Sequence, residues 1–186
     1  MKFFVTVILA LSILCGCSVK DQSMGQATAL RKEILEAEGC TFQATITADY
    51  GSAIHTFSVS CSADTAGTLS FTVTEPDTIS GITGYISDDD ASITFDDKVL
   101  AFQMLADGQI SPISTPWLFL KALRGGYISG CSMDDAGLCI YIDDSFREYP
   151  LQLEVYTDTN TVPYHADFIW QNRRILSLDI QDFAIL

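Results

Sequence analysis

From Cys40 onward apolar and hydroxyl-bearing residues alternate with a period of two, and this alternation constrains the fold more than any other feature. Phe42, Ala44, Ile46 and Ala48 are interleaved with Thr41, Gln43, Thr45 and Thr47. His55, Phe57 and Val59 alternate with Thr56, Ser58 and Ser60, and Leu69, Phe71 and Val73 with Thr68, Ser70, Thr72 and Thr74. Successive side chains of a strand point to opposite faces. Three consecutive strands therefore carry one apolar face and one Ser/Thr face, the pattern of an antiparallel sheet wetted on one side. Further strands are expected near 79–86, 91–96, 98–104, 127–132, 138–143, 151–157, 163–170 and 174–183. Two helices interrupt this series. Ala27, Leu30, Ile34 and Ala37 recur at helical spacing within 21–38, with Gly39 placed to close the helix. In the second, Thr115 can cap, Pro116 suits the first turn, and Gly125-Gly126 ends the run. About eleven strands are too many for a flat open sheet. The expected fold class is mainly β with few helices, built on a curved antiparallel sheet.

Composition narrows what such a sheet can do. Hydrophobic residues make up 48% and charged residues 18% of 186 residues, enough apolar material for a packed core. The net charge of -14 argues against nucleic acid, which needs cations to displace phosphate counterions. The same charge opposes docking on anionic lipid headgroups. Residues 1–20 offer another route to a membrane. Lys2 precedes an apolar run, Phe3 to Leu14, broken only by Thr6 and Ser12 and too short to span a bilayer comfortably. Its ending, Leu14-Cys15-Gly16-Cys17, resembles the bacterial lipobox. That resemblance implies a signal peptide over 1–16, diacylglyceryl attachment at Cys17, a tether over 17–25 and a folded domain over 26–186. It further implies a protein held by its lipid on the extracytoplasmic face of the cell membrane. In a two-membrane cell, Ser18 in place of Asp would favour the outer membrane. Two acyl chains anchor stably where one binds marginally.

Four cysteines lie beyond the anchor: Cys40, Cys61, Cys131 and Cys139. In an exported chain disulfides are the default reading, and four cysteines allow three connectivities. A tight turn near Tyr50-Gly51-Ser52 that pairs Ile46 with His55 sets Cys40 opposite Cys61, within disulfide reach. Cys131 and Cys139 flank a second turn composition, Met133 to Gly137. Zinc is disfavoured, because the sequence has no CxxC pair and two histidines in all.

The arrangement resembles the lipoprotein-carrier family, the half-barrel of the periplasmic lipoprotein-sorting protein and its outer-membrane receptor. The matching features begin with an N-terminal helix, Phe42 in the first hairpin, and Gly67-Thr68-Leu69 leading a strand that ends at Pro76. They continue with Ser87-Asp88-Asp89-Asp90, Ile93-Thr94-Phe95-Asp96 and Thr115-Pro116-Trp117-Leu118-Phe119-Leu120. The resemblance implies an unclosed half-barrel whose helices cover the concave face, and a role in binding an acyl chain or hydrophobic polypeptide segment there. The candidate ligand-binding residues are Phe42, Phe57, Phe71, Phe95, Trp117, Leu118, Phe119 and Leu120. The run Trp117 to Leu120 reads either as a plug completing the core or as a lid over a ligand groove. The soluble carrier has no lipid anchor, so a membrane-fixed relative is the better match. Anchored relatives with this fold include partner-binding scaffolds of spore-forming bacteria, and regulation of an envelope enzyme is the alternative function.

Enzymatic chemistry finds little support. His55 is expected on the apolar face, and His165 alternates with Asp167 in what reads as a same-face polar contact. No nucleophile elbow, phosphate loop or dinucleotide glycine pattern occurs. Asp88-Asp89-Asp90, Asp96-Asp97, Asp134-Asp135 and Asp143-Asp144 read as turn formers rather than calcium ligands, since neighbouring strand residues diverge to opposite faces. No cofactor is expected.

Overall fold

A computed structural model describes residues 16–94, 104–145 and 149–186, with the backbone alone for 16–21. The chain begins with helix α1 (Gly16–Glu36) and continues through β1 (Gly39–Asp49), β2 (Ile54–Asp64), β3 (Leu69–Glu75), β4 (Thr83–Ile86) and β5 (Ala91–Thr94). A 3-10 turn, Pro112–Ser114, leads into helix α2 (Thr115–Gly125). Five more strands follow: β6 (Tyr127–Met133), β7 (Leu138–Asp143), β8 (Gln152–Thr157), β9 (Pro163–Trp170) and β10 (Arg173–Ile185). All ten belong to one antiparallel sheet in the order β5-β4-β3-β2-β1-β10-β9-β8-β7-β6. The ends, β5 and β6, do not pair with each other, so the curved sheet is unclosed.

The alternation read from sequence is the alternation observed. Phe42, Ala44, Ile46 and Ala48 of β1 face inward with Phe57, Val59 and Cys61 of β2 and Leu69, Phe71 and Val73 of β3, all buried. Both helices lie against this inner face, α1 on β6 and β7 and α2 on β7 and β10. Ala27, Leu30 and Ile34 of α1 are buried, with Ser23 one turn before them. Phe119 of α2 is fully buried, its ring edge-on to Phe42 at 6.0 Å between centroids and to Phe183 at 6.3 Å.

Three local expectations need correction. Gly39 does not close α1, which ends at Glu36, but opens β1. A Cβ on Gly39 would lie 2.4 Å from the Ala63 carbonyl oxygen, so close pairing with β2 demands a glycine. Thr115 does not cap α2. It is helical itself, fully buried, and donates its hydroxyl to the Pro112 carbonyl at 2.6 Å. The β1–β2 register differs by two residues, with Ile46 opposite Phe57 and Asp49 opposite Ile54. The loop is four residues, Tyr50 to Ala53, closed by the Tyr50 N–H on the Ala53 carbonyl and by the Gly51 N–H on the Asp49 carboxylate. A slip of two keeps every side chain on its face, so the pattern cannot detect it. His55 consequently sits at the open rim of the apolar face, exposed and edge-on to Tyr50. The expected strand at 98–104 and the end of that at 91–96 fall largely outside the described residues.

Candidate functional site

The feature that most resembles a ligand site lies beside α2, the helix packed on β7 and β10. Gly126 ends α2, its N–H reaching the Ala122 carbonyl at 2.8 Å. A Cβ there would meet the Ile142 side chain at 2.4 Å, so the turn out of the helix packs directly on β7. The last carbonyls of the helix are then taken up from outside. Arg31 of α1 donates Nε to the Leu123 carbonyl at 2.6 Å, and Nη2 to the carbonyls of Gly126 at 2.8 Å and Ala122 at 3.3 Å. A cation on the free carbonyls of a helix C-terminus is favourable. Burial lowers the Arg31 pKa from its ordinary value.

Beside α2 the structure leaves a cavity of about 480 Å³. Its apolar wall is Trp117, Leu118 and Ala122 with Leu151 and Leu153, and its rim carries Asp88, Lys121, Arg124 and Asp144. The rim charges are engaged with one another or with backbone. Lys121 pairs with Asp88 and stands 4.5 Å from the centre of the Trp117 ring. Arg124 donates to the Thr65 carbonyl at 2.7 Å, and the Asp144 carboxylate accepts the Leu151 N–H at 2.9 Å. A guest in this space meets apolar surface and a charge-balanced rim.

The expected ligand-contacting residues separate into two groups. Trp117 and Leu118 are half-buried and line the cavity. Phe42, Phe57, Phe71, Phe119 and Leu120 are buried in the core. Phe95 lies outside the described residues. One side of α2, from Trp117 to Gly125, thus faces the cavity while Phe119 and Leu120 plug the sheet. Sequence reasoning missed Arg31, Lys121 and Arg124.

No disulfide joins Cys40, Cys61, Cys131 or Cys139 in the structure. Cys40 stands opposite Ala63 and Cys61 opposite Phe42, a diagonal rather than a direct pair. Cys131 is opposite inward-facing Ile140, whereas Cys139 is opposite Ser132, so these two belong to opposite faces of the sheet. Burial pushes the Cys40 thiol up to about 11, against the pull of Arg124, and drives Cys61 higher still, with Cys40 adding to the effect. Residues 1–15 and the side chain of Cys17 lie outside the description.

On the outer face His165 links two carboxylates, Nδ1 to Asp179 at 2.7 Å and Nε2 to Asp167 at 3.2 Å. Arg174 also reaches Asp167, at 3.4 Å. Tyr156, tilted against the His165 ring, donates to Glu154 at 2.7 Å, and that bond raises its pKa. These contacts join β8, β9 and β10. Among the described residues no three His, Cys, Asp or Glu are grouped to hold a metal ion, and no helix is long and apolar enough to cross a membrane.

No family model matches the chain, and no curated protein matches it in sequence. Solved structures do share its outline. A LolA superfamily protein from Nitrosomonas europaea is 11% identical, with a TM-score of 0.44 over 86% of this chain and 93% of that one. A putative outer membrane lipoprotein-sorting protein domain from Vibrio parahaemolyticus is 8% identical, at 0.44 over 86% and 91%. The MucA/MucB complex of Pseudomonas aeruginosa includes a chain that is 12% identical, at 0.40 over 88% of this chain and 56% of that one. The likeness concerns the fold alone.

Proposed function

We propose that the protein is a lipid-anchored extracytoplasmic binding protein that holds an acyl chain, or a hydrophobic polypeptide segment, against α2 of its half-barrel. The observation that carries this reading is the cavity of about 480 Å³ beside α2, within the range of small-molecule sites. Its polar rim is already engaged, so affinity must come from apolar contact with Trp117, Leu118, Leu151 and Leu153. The anchor in this reading is Cys17, and the folded domain is 26–186. Trp117 is both wall and reporter. Titration with a long-chain fatty acid should shift Trp117 emission, and mass spectrometry of the gently extracted protein should show a copurifying lipid. An unchanged spectrum at saturating fatty acid, with no lipid in the mass spectrum, would refute the acyl-chain form.

The filled inner face supports a second reading. Phe119 and Leu120 occupy the concavity where a fully enclosed lipid would lie. A scaffold that binds an envelope enzyme needs no such space. Capture of one defined envelope protein by the anchored form, with no lipid bound, would decide for it.

A further inference from the structure

The outer face of the sheet carries a second, differently built concavity of about 640 Å³, shallow and open, over β1 to β5. Its floor follows from strand register. One row of directly opposed residues runs Gln43–Ser60–Thr72–Thr83–Thr94, and the next runs Thr41–Ser62–Ser70–Tyr85. Every one of these side chains lines the depression. Neighbouring strands lie about 4.8 Å apart and same-face residues about 7 Å apart along a strand, so the rows form a regular grid of hydroxyls.

Two observations separate this grid from an ordinary wetted face. Further along the same strands the hydroxyls satisfy each other, Thr45 with Ser58 at 3.0 Å and Thr47 with Thr56 at 3.3 Å. In the depression, no hydrogen bond within the described protein engages the hydroxyls of Ser60, Ser62, Ser70 or Thr72. Each offers one donor and two acceptor positions. The second observation is charge. Among the described residues the lining holds a single ionisable carboxylate, Asp182, which accepts from Gln43 at 3.2 Å, and no cation. The described lining offers an anionic guest no cation, and the chain carries a net charge of -14. An apolar guest would strand the hydroxyls. A neutral guest dense in hydroxyls matches the grid donor for acceptor. The Tyr85 ring, 40% exposed and steadied by its hydroxyl on Asp90 at 2.8 Å, adds a flat apolar surface for a sugar's C–H face.

We propose that this groove is a binding site for a neutral oligosaccharide, separate from the cavity beside α2. The test is calorimetric titration of the full-length protein, in a detergent without a sugar headgroup, with chitohexaose, cellohexaose and maltohexaose. An acidic hexasaccharide serves as counter-probe. At least one neutral hexasaccharide should bind and the acidic one should not. The triple variant Ser60→Ala, Ser70→Ala, Thr72→Val removes hydroxyls that have no protein partner, so its thermal midpoint should match the parent. It should bind at least about tenfold more weakly. Tyr85→Ala, on the other row, should weaken the same sugar independently. No heat from any neutral hexasaccharide up to about 10 mM, or equal affinity in both variants, overturns the proposal. Stronger binding of the acidic sugar overturns it too. Fatty-acid binding at Trp117 is read separately, so either site can fail alone.

Discussion

Cys40 and Cys61 show how much a residue's chemistry depends on where register places it. Both thiols face the core beside Phe42 and are held as thiols by burial. Native protein should therefore react with a thiol reagent first at Cys131 and Cys139, which are half-buried, and at Cys40 and Cys61 only on unfolding. The pH dependence has a definite sign. In the unfolded chain the Cys40 thiol ionises near its ordinary 9.0, whereas in the fold it keeps its proton to about 11. Stability should be undiminished by this group below pH 9 and should fall as pH rises from 9 to 11. Urea midpoints across that window should drop for the parent and drop less for Cys40→Ala. The expected register of β1 and β2 failed on a turn. Nothing in Tyr50-Gly51-Ser52-Ala53 announces a four-residue loop rather than a shorter one, and the two differ in which cysteine meets which partner. Arg31 was hidden for a related reason: its acceptors are backbone carbonyls, and a carbonyl carries no residue identity.

Among the elements, the strands were the most legible. β9 matches its expected span, and β1, β2 and β3 carry their apolar and hydroxyl faces as the alternation requires. Packing two neighbours on one face and water on the other leaves a signal at every second residue. The division of labour within α2 left no such signal, since Trp117, Leu118, Phe119 and Leu120 are a continuous apolar run. The structure turns Phe119 and Leu120 into the core and leaves Trp117 and Leu118 at the cavity. Phe119→Ala should cost about 3–5 kcal/mol in denaturant unfolding. Trp117→Ala, half-buried, should cost about half as much or less while abolishing the spectral response to fatty acid. Equal costs would mean that α2 is a plug along its whole length. Arg31→Ala should cost about 1–3 kcal/mol by stranding the final carbonyls of α2, and Arg31→Lys should recover part of that loss.

At the scale of the molecule, the proposed anchor would leave the membrane contact to one residue. Cys17→Ser should move the protein from the membrane fraction to the soluble fraction and leave it there after washing in low or high salt. The chain carries a net charge of -14, so the body has little attraction for an anionic bilayer. Retention after a salt wash would refute a lipid anchor at Cys17. The curved all-antiparallel sheet was legible in outline, but the strand order was not, because hairpin-length spacing specifies neighbours in sequence and cannot show that β1 pairs with β10. That pairing governs how the chain must fold. The centre of the sheet is a seam between Gly39–Asp49 and Arg173–Ile185, the most distant strands in sequence. Either wing, β1 to β5 or β6 to β9, can zip up from local hairpins, yet neither gains its neighbour until the last strand arrives. Closing that seam carries the largest loop entropy in the molecule and should set its folding rate. A nascent chain stalled before residue 173 would be two hairpin stacks, one with β1 and the other with β9 bared as an unpaired edge, the state in which it is most open to aggregation or to a chaperone.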